Sequence, residues 1–431
     1  MKAVFVFDHF GPYHIARVHS VAAIPGWDVC GIELHAKSKT YGWNSIDSSE
    51  SRFRKINLPN FPLHGRHERK ALLKPLEEAL ESCKADVIFV NGWGDFMSLE
   101  TIRWAKKKGV RLVVMSETRL RDGSRSPVGE RVKRRIVSMC DAGLCGGKSH
   151  RRYLEELGLP KERVALGYNA VDNHFFSKTR NEKTVSVGEC TRVHIPPPYF
   201  LASNRFVERK NLRRLLMAYA KYVESLQESG EIWPLVLLGD GDMRGELEAL
   251  CRKLAIIACS FQGSVCSGQD VRALDRNYYP PKAAAASGFV VFAGFRQIEE
   301  LPFFYGGAGA FVHPALSEPW GLVINEAMAS GLPILSSKNV GAAEELVHNG
   351  TNGFTFDPEN IQELARVLVR MAVMRQEDRK SMGEASRRMI ADWGPERFAQ
   401  GAEYAARAAM SAPHKRFSII NRILLEILIR K

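Results

Sequence analysis

Residues 318 to 326 read Glu-Pro-Trp-Gly-Leu-Val-Ile-Asn-Glu, two carboxylates with seven residues between them. They stand where an apolar run, Gly309 to Leu316, gives way to a helical pattern, Leu322 to Ser330. Seven residues make about two helical turns plus an entry, so both carboxylates can face one site. Gly321 falls where the bare N–H groups of a helix start can meet an anion. One acid at the mouth, open amides in the middle and a second acid inside the helix suit a sugar linked through a diphosphate to a nucleoside. Hydroxyls need acceptors, and the diphosphate needs donors and positive charge. An exposed helix start carrying ordinary acidic residues is the plain alternative.

Further along the chain, Arg205 and Lys210 lie five apart between an apolar run, Phe200–Phe206, and a helical pattern from Leu212. Cations at such a junction can stabilise the charge that grows on a departing diphosphate. Arg209 reads as a solvated neighbour. Gly239-Asp240-Gly241-Asp242 contains Asp-x-Asp, which elsewhere holds a metal against a diphosphate. Here it follows the apolar run Leu235–Leu238 and precedes a helix, so it reads as a tight turn and a cap, with no metal expected. After the first apolar run, Gly11 allows a phosphate close approach and Pro12 suits a first helical turn. Arg296, after the run Val290–Ala293, is a candidate for contact with a nucleobase.

The elements that must position these residues alternate short β-rich runs with helical patterns, the mark of parallel-sheet α/β units. Strands are expected at Ala3–Asp8, Trp27–Leu34, Asp86–Asn91, Arg111–Thr118, Ala142–Cys145 and Val164–Tyr168. A second set is expected at Phe200–Phe206, Leu235–Leu238, Val290–Ala293, Ala310–His313, Pro333–Ser336 and Phe354–Asp357. Helices are expected over Lys70–Ser82, Ser98–Lys108, Val132–Cys140, Leu212–Leu226, Arg244–Leu254, Leu322–Ser330 and Ile361–Met374. The polar and then proline-rich stretch Ser177–Pro198 reads as a linker. This gives a domain over 1–176, a linker over 177–198, a second domain over 199–392 and a terminal segment over 393–431.

The 431 residues suffice for two such domains. Apolar content of 45% and charged content of 25% are those of a soluble globular chain. The eight cysteines form no Cys-x-x-Cys pair, so a zinc site is not expected and reduced thiols are. The first apolar stretch is too short for a signal peptide, and none is long enough to span a bilayer, so the expected location is the cytosolic side. A net charge of +13 attracts polyanions. No basic motif interleaved with aromatics points to nucleic acid. Positive charge gathers in Arg119–Arg135 and in the tail from Lys415, where Phe417, Ile420, Ile423, Leu424, Ile427 and Leu428 recur at helical spacing. That tail suits either a peripheral position on an anionic membrane surface or packing against the first domain.

The segment EPWGLVINEAMASGLPILSSKNVGAAEELVHNGTNGF closely resembles the C-terminal signature of family 4 of the GT-B glycosyltransferases, with Trp320 where the family usually has Phe. RFVERKNL fits the family's arginine–lysine pattern, with Asn204 in place of the usual Gly before the arginine. Trp393-Gly-Pro-Glu-Arg-Phe398 resembles the point where the family's chain returns to the first domain. The resemblance implies GT-B architecture, two Rossmann-like domains facing a central cleft. It also implies transfer of a sugar, with retained configuration, from a UDP-, GDP- or ADP-linked donor to a hydroxyl acceptor. The acceptor would be a glycan or a lipid-linked glycan, and the setting polysaccharide, lipopolysaccharide or other glycan assembly. No further cofactor is implied. Arg205 and Lys210 would neutralise the diphosphate, Glu326 accept from ribose hydroxyls and Glu318 hold the donor sugar. The amides of Gly321, Leu322 and Val323 would assist. No side-chain nucleophile is established in the family; the departing phosphate can take the acceptor proton. Members often carry a histidine after the fourth N-terminal strand. Met115-Ser116-Glu117-Thr118 has none, leaving Glu117 either as its substitute or as a partner of nearby arginines. A nucleotide-sugar epimerase of similar fold and a non-catalytic sugar-binding protein are the rival readings.

Overall fold

A computed structural model describes residues 1–34, 43, 52–59, 66–123, 125–178, 198–227, 231–260 and 288–430. Most of the expected linker lies outside the described residues. The chain forms two units, Met1–Asp172 with Asp392–Lys431, and Asn173–Ala391.

The first unit is a seven-stranded sheet of β1 (Lys2–Phe7), β2 (Asp28–Glu33), β3 (Arg54–Asn57), β4 (Val87–Asn91), β5 (Arg111–Ser116), β6 (Ala142–Cys145) and β7 (Val164–Leu166). The spatial order is β3-β2-β1-β4-β5-β6-β7, and every pairing is parallel. The strands are almost continuously apolar because helices cover both faces, as parallel sheets require. Helix Pro12–Ala22 starts with Pro12 in its first turn. Helix Phe96–Lys108 opens on Asp95, whose carboxylate accepts from the Ser98 N–H at 2.9 Å, and closes on Gly109 at φ 75°. Helix Pro127–Val137 begins five residues earlier than expected, because Ser126 caps it and Pro127 sits in its first turn.

The returning helix Pro395–Ser411 belongs to this unit. Phe398, Ala399, Ala402, Ala405, Ala406 and Ala409 pack beneath the sheet, beside helix Pro12–Ala22. Small residues let the backbones close up; a Cβ on Gly401 would meet the Leu166 carbonyl at 2.3 Å. The last helix, Ile419–Arg430, buries Leu425 completely, with Phe417, Leu424, Leu428 and Ile429 half-buried against the core that helix Phe96–Lys108 lines.

The second unit repeats the plan with β8 (Phe200–Ser203), β9 (Leu235–Leu238), β10 (Ile257–Ser260), β11 (Phe289–Gly294), β12 (Ala310–His313), β13 (Ile334–Ser337) and β14 (Gly353–Phe356). The order is β10-β11-β9-β8-β12-β13-β14, again all parallel. The fold is α/β with two Rossmann-like units. In each sheet the chain winds in opposite directions from a central pair, β1/β4 and β8/β12, with β11 returning between β9 and the edge strand β10 in the second. At such a switch point the carboxyl ends of the strands leave a crevice for ligands. The edge strands β3 and β10 were not expected. Arg-Lys-Ile-Asn has one aliphatic residue, and an edge strand needs no continuous apolar run.

Candidate functional site at the switch point of the second sheet

β8 ends at Ser203, and the chain turns through Asn204 and Arg205 into a short 3-10 turn, Glu208–Lys210. Asn211 follows at φ 60° and stitches this turn to the opposite loop. Its side-chain amide donates to the carbonyls of Pro314 at 3.0 Å and Pro358 at 2.7 Å. The Leu316 N–H donates to the Arg209 carbonyl at 2.9 Å. These bonds hold the end of β8 against the loop after β12, and Lys210 and Glu318 meet as a result. The Lys210 ammonium bonds Glu318 Oε2, and Arg209 Nη1 stands 3.2 Å from the same oxygen. Arg209 is therefore a member of the cluster and not only a solvated neighbour. Arg205 lies close enough to act on the charge of Lys210.

Both members of the pair are mostly buried, with side-chain exposures of 11% for Lys210 and 13% for Glu318. Burial opposes ionisation of Glu318, but the charges of Lys210 and Arg209 outweigh it and hold the carboxyl below its ordinary value. Burial lowers the Lys210 pKa, and Glu318 opposes that. Two cations on one carboxylate, with Arg205 acting on Lys210, suit an incoming diphosphate.

Gly321 caps helix Leu322–Ala329 at φ 96°. A Cβ there would sit 3.0 Å from Val340, 3.4 Å from Glu318 Cγ and 3.5 Å from His313 Nε2. A glycine is thus required by conformation and by space. The loop before it is pinned from below. Gly341 N–H donates to the Glu318 carbonyl at 3.0 Å and Ala342 N–H to the Trp320 carbonyl at 2.9 Å. Trp320 is wholly buried, its indole N–H on Asn325 Oδ1 at 2.9 Å. The N–H groups of residues 321–323 are those a helix start does not use internally. Glu326 is buried deeper in the helix, and the Tyr305 hydroxyl donates to it at 2.7 Å.

Two polar residues here were not read as site residues from the sequence, where Asn204 appeared only as a departure from the family's glycine. His313 closes β12, is fully buried, and neither ring nitrogen has a hydrogen-bond partner among the described residues. Burial, with Lys210 and Arg209, lowers its pKa to about 3, so the ring is neutral. Asn204 is 7% exposed, and both polar atoms of its amide likewise lack a partner among the described residues.

The Arg296 guanidinium is tied inside its own loop, to the Ala293 carbonyl at 2.9 Å and Glu300 at 3.2 Å. Asp240 accepts from the Gly241 N–H at 2.8 Å and pairs with Arg244 at 3.2 Å. Gly239, at φ 123°, approaches β8 so closely that a Cβ would strike the Asn204 carbonyl. Among the described residues no group of three His, Cys, Asp or Glu could hold a metal ion.

In the first unit, the carboxyl ends of the strands carry Gly11 and Glu117. Gly11 caps helix Pro12–Ala22 at φ −77°, and its N–H donates to His14 Nδ1 at 3.3 Å. A Cβ there would make only ordinary contacts, so the unit itself does not demand glycine. Glu117 accepts from the Asn169 amide at 2.9 Å and acts electrostatically on buried Arg17, whose Nε donates to the Ala170 carbonyl. Of the basic cluster, Arg119 is buried on Asp122 and Arg125 lies 4.4 Å over the Tyr153 ring, whereas Arg121, Arg131, Arg134 and Arg135 are exposed.

Residues 31–175 match the family model Glycosyltransferase Family 4, and residues 282–389 match Glycosyl transferases group 1. This chain belongs to family 4 of the GT-B glycosyltransferases. Within the family it is 27% identical over 207 residues, 48% of this chain and 44% of the relative, to an uncharacterized glycosyltransferase of Methanocaldococcus jannaschii. It is 35% identical over 99 residues, 22% of this chain and 19% of the relative, to sulfoquinovosyl transferase SQD2 of Arabidopsis thaliana. The matches thus span less than half the length of these curated relatives. In fold it is similar to Anabaena HepE in complex with UDP and glucose, with a TM-score of 0.65, 17% identity, and coverage of 94% of this chain and 98% of that one. The second family model includes Glu318, Gly321 and Glu326, while Arg205, Arg209 and Lys210 precede it.

Proposed function

We propose that this chain is a retaining glycosyltransferase that moves a sugar from a nucleotide-linked donor to a hydroxyl acceptor in glycan assembly. The observation that carries this reading is the convergence of Lys210, Arg209 and Glu318 beside the bare helix start at Gly321. On this reading the diphosphate takes its place among Arg205, Arg209 and Lys210. The amides of Gly321, Leu322 and Val323 receive its oxygens, Glu326 accepts from the ribose, and the Arg296 loop borders the base. Glu318 receives sugar hydroxyls. As the sugar–phosphate bond breaks, these fixed charges stabilise the leaving group, the largest kind of electrostatic contribution to such a step. The departing phosphate takes the acceptor proton, so no nucleophilic side chain is required. In the first unit we assign Gly11 to close approach of a donor phosphate and Glu117 to the place of the family's histidine near the reacting carbon.

The setting we propose is the surface of an anionic membrane, with a glycan or lipid-linked glycan as acceptor. Ile419, Ile420, Ile423 and Ile427 are 77%, 66%, 51% and 49% exposed. At this spacing they share one face of the last helix. Arg416 and Arg422 on the same segment are exposed. Among the described residues no helix is long and apolar enough to cross a membrane.

The test is a panel of UDP-, GDP- and ADP-linked sugars scored for transfer, hydrolysis and epimerisation, with UDP-linked donors first, since HepE is seen with UDP and glucose. Transfer or slow hydrolysis of one donor is expected, and chelator should leave it intact. Conversion of a donor to its epimer without acceptor would favour the epimerase, and inertness toward the whole panel would overturn the reading.

A further inference from the structure

We propose that His313, with Asn204 on the adjoining strand, reads the sugar of the donor, and that this sugar is a neutral hexosyl group rather than a uronosyl one. The inference rests on the donor reading above and adds the class of sugar. β12 pairs with β8 through Ala310–Phe200 and Phe311–Leu201. Two residues further along each strand bring His313 opposite Ser203, with Asn204 next in line. Two buried polar side chains without partners among the described residues thus end adjacent central strands, at the switch point where a ligand is expected.

Such groups are costly. A buried donor or acceptor without a partner has given up its bonds to water and gained none in return. Both neighbours of His313 within its strand, Val312 and Phe311, are apolar and buried, and a leucine would meet the packing demand at that position without the loss. A polar side chain kept at such cost inside a site is expected where a ligand completes it.

The ring also borders the helix start, covered only by the glycine cap and its neighbours. Its Nε2 lies 3.5 Å from the point where any side chain at residue 321 would begin, and residue 321 is glycine. Lys210, Glu318 and Arg209 all act on it electrostatically. The diphosphate oxygens have those cations and the helix amides, which leaves the imidazole and the amide for the remaining part of the donor.

The chemistry of the pair selects among sugars. A neutral imidazole offers one donor and one acceptor nitrogen, and a carboxamide offers both kinds as well. A sugar hydroxyl both donates and accepts, so it can satisfy either group. A uronate carboxylate only accepts. Where the C6 group meets the pair, a carboxylate would leave the acceptor nitrogen unpaired and bring a second negative charge toward Glu318.

The experiment is calorimetric titration of the wild type, His313→Leu and His313→Gln with a nucleoside diphosphate, its neutral hexose conjugates and its hexuronate conjugate. The wild type should bind its best neutral conjugate at least tenfold tighter than the nucleoside diphosphate and the hexuronate conjugate no tighter than that diphosphate. His313→Leu should lose that tenfold increment, bind the nucleoside diphosphate as the wild type does, and melt no lower than the wild type without ligand. His313→Gln should recover part of the increment, which a purely structural role would not produce. Equal weakening of both ligands in His313→Leu, no change in either, or wild-type preference for the hexuronate conjugate overturns the proposal. A wild type that binds neither nucleoside diphosphate nor nucleotide sugar overturns the donor reading, and this one with it.

Discussion

Lys210 and Arg209 share a single oxygen of Glu318, Oε2, although the lysine and the glutamate are 108 residues apart in the chain. The cations suited to phosphate and the carboxylate suited to sugar therefore begin as one cluster. A donor that enters must exchange part of this ion pairing for its own charge. The cluster also couples the site to pH.

Acid should destabilise the fold in two steps. His14 and His313 both have pKa values near 3, against an ordinary 6.5, mainly because they are buried. A group with a depressed folded pKa contributes stability above its ordinary value and loses it as pH falls toward the folded one. Each histidine should thus cost about 2 kcal/mol between pH 7 and pH 5, at ~1.4 kcal/mol per pKa unit. Glu318 adds its loss below the ordinary 4.5. Urea unfolding at pH 7 and pH 5 measures the first step, and His313→Leu should remove about half of it. Equal midpoints for the wild type at both pH values would contradict the burial of these rings.

Tyr305→Phe should lower stability by about 1–3 kcal/mol, because Glu326 would lose a buried donor. Donor affinity should fall with it if Glu326 receives the ribose, and the nucleoside without phosphates should show the same relative loss. Denaturant midpoints together with nucleoside titration test this. A variant as stable as the wild type would mean that the hydroxyl does not support the carboxylate.

Gly321→Ala should be damaging well beyond its single added methyl. The residue is at φ 96°, and its Cβ would press on Val340. Left-handed strain of order 1–3 kcal/mol is expected. Thermal melting should fall and diphosphate binding should weaken together; an unchanged melt would show that the cap relaxes freely.

Much of this was legible before the fold was known. The run from Glu318 to Glu326 was readable because its parts are contiguous and a glycine, a helix start and two acids fall in one register. The central strands were readable because their burial on both faces makes them continuously apolar. The edge strand β3 was not, since an edge tolerates polar residues. The contact of Arg209 with Glu318 was not legible because its partner arrives through the pairing of β8 with β12, which local pattern does not encode. Asn211, which stitches the two loops, looked like an ordinary helix start. His313 was hidden for another reason: only the lack of partners sets it apart, and partnership is a property of the folded chain. Its one visible sign is a histidine closing the apolar run Ala310-Phe-Val-His.

The last helix packs one face on the first unit and exposes the other, where the proposed membrane contact would lie. Leu425 and its neighbours pack on the first unit, so a chain ending at Pro413 should melt several degrees lower. Ile419, Ile423 and Ile427 lie outside that packing. Changing all three to Ser should leave the melt nearly unchanged and reduce sedimentation with anionic liposomes at low salt. Full-length protein that does not sediment with such liposomes would remove the membrane setting and favour soluble acceptors.

The most direct test of the donor site is titration of the nucleoside diphosphate against the wild type, Arg205→Ala and Lys210→Ala. One preorganised charge contact is worth about 2.7–4 kcal/mol in comparable sites. Binding or turnover should therefore fall at least a hundredfold in each folded variant. Variants that bind and turn over as the wild type does would contradict the assignment of these cations to the diphosphate, and with it the account of this site.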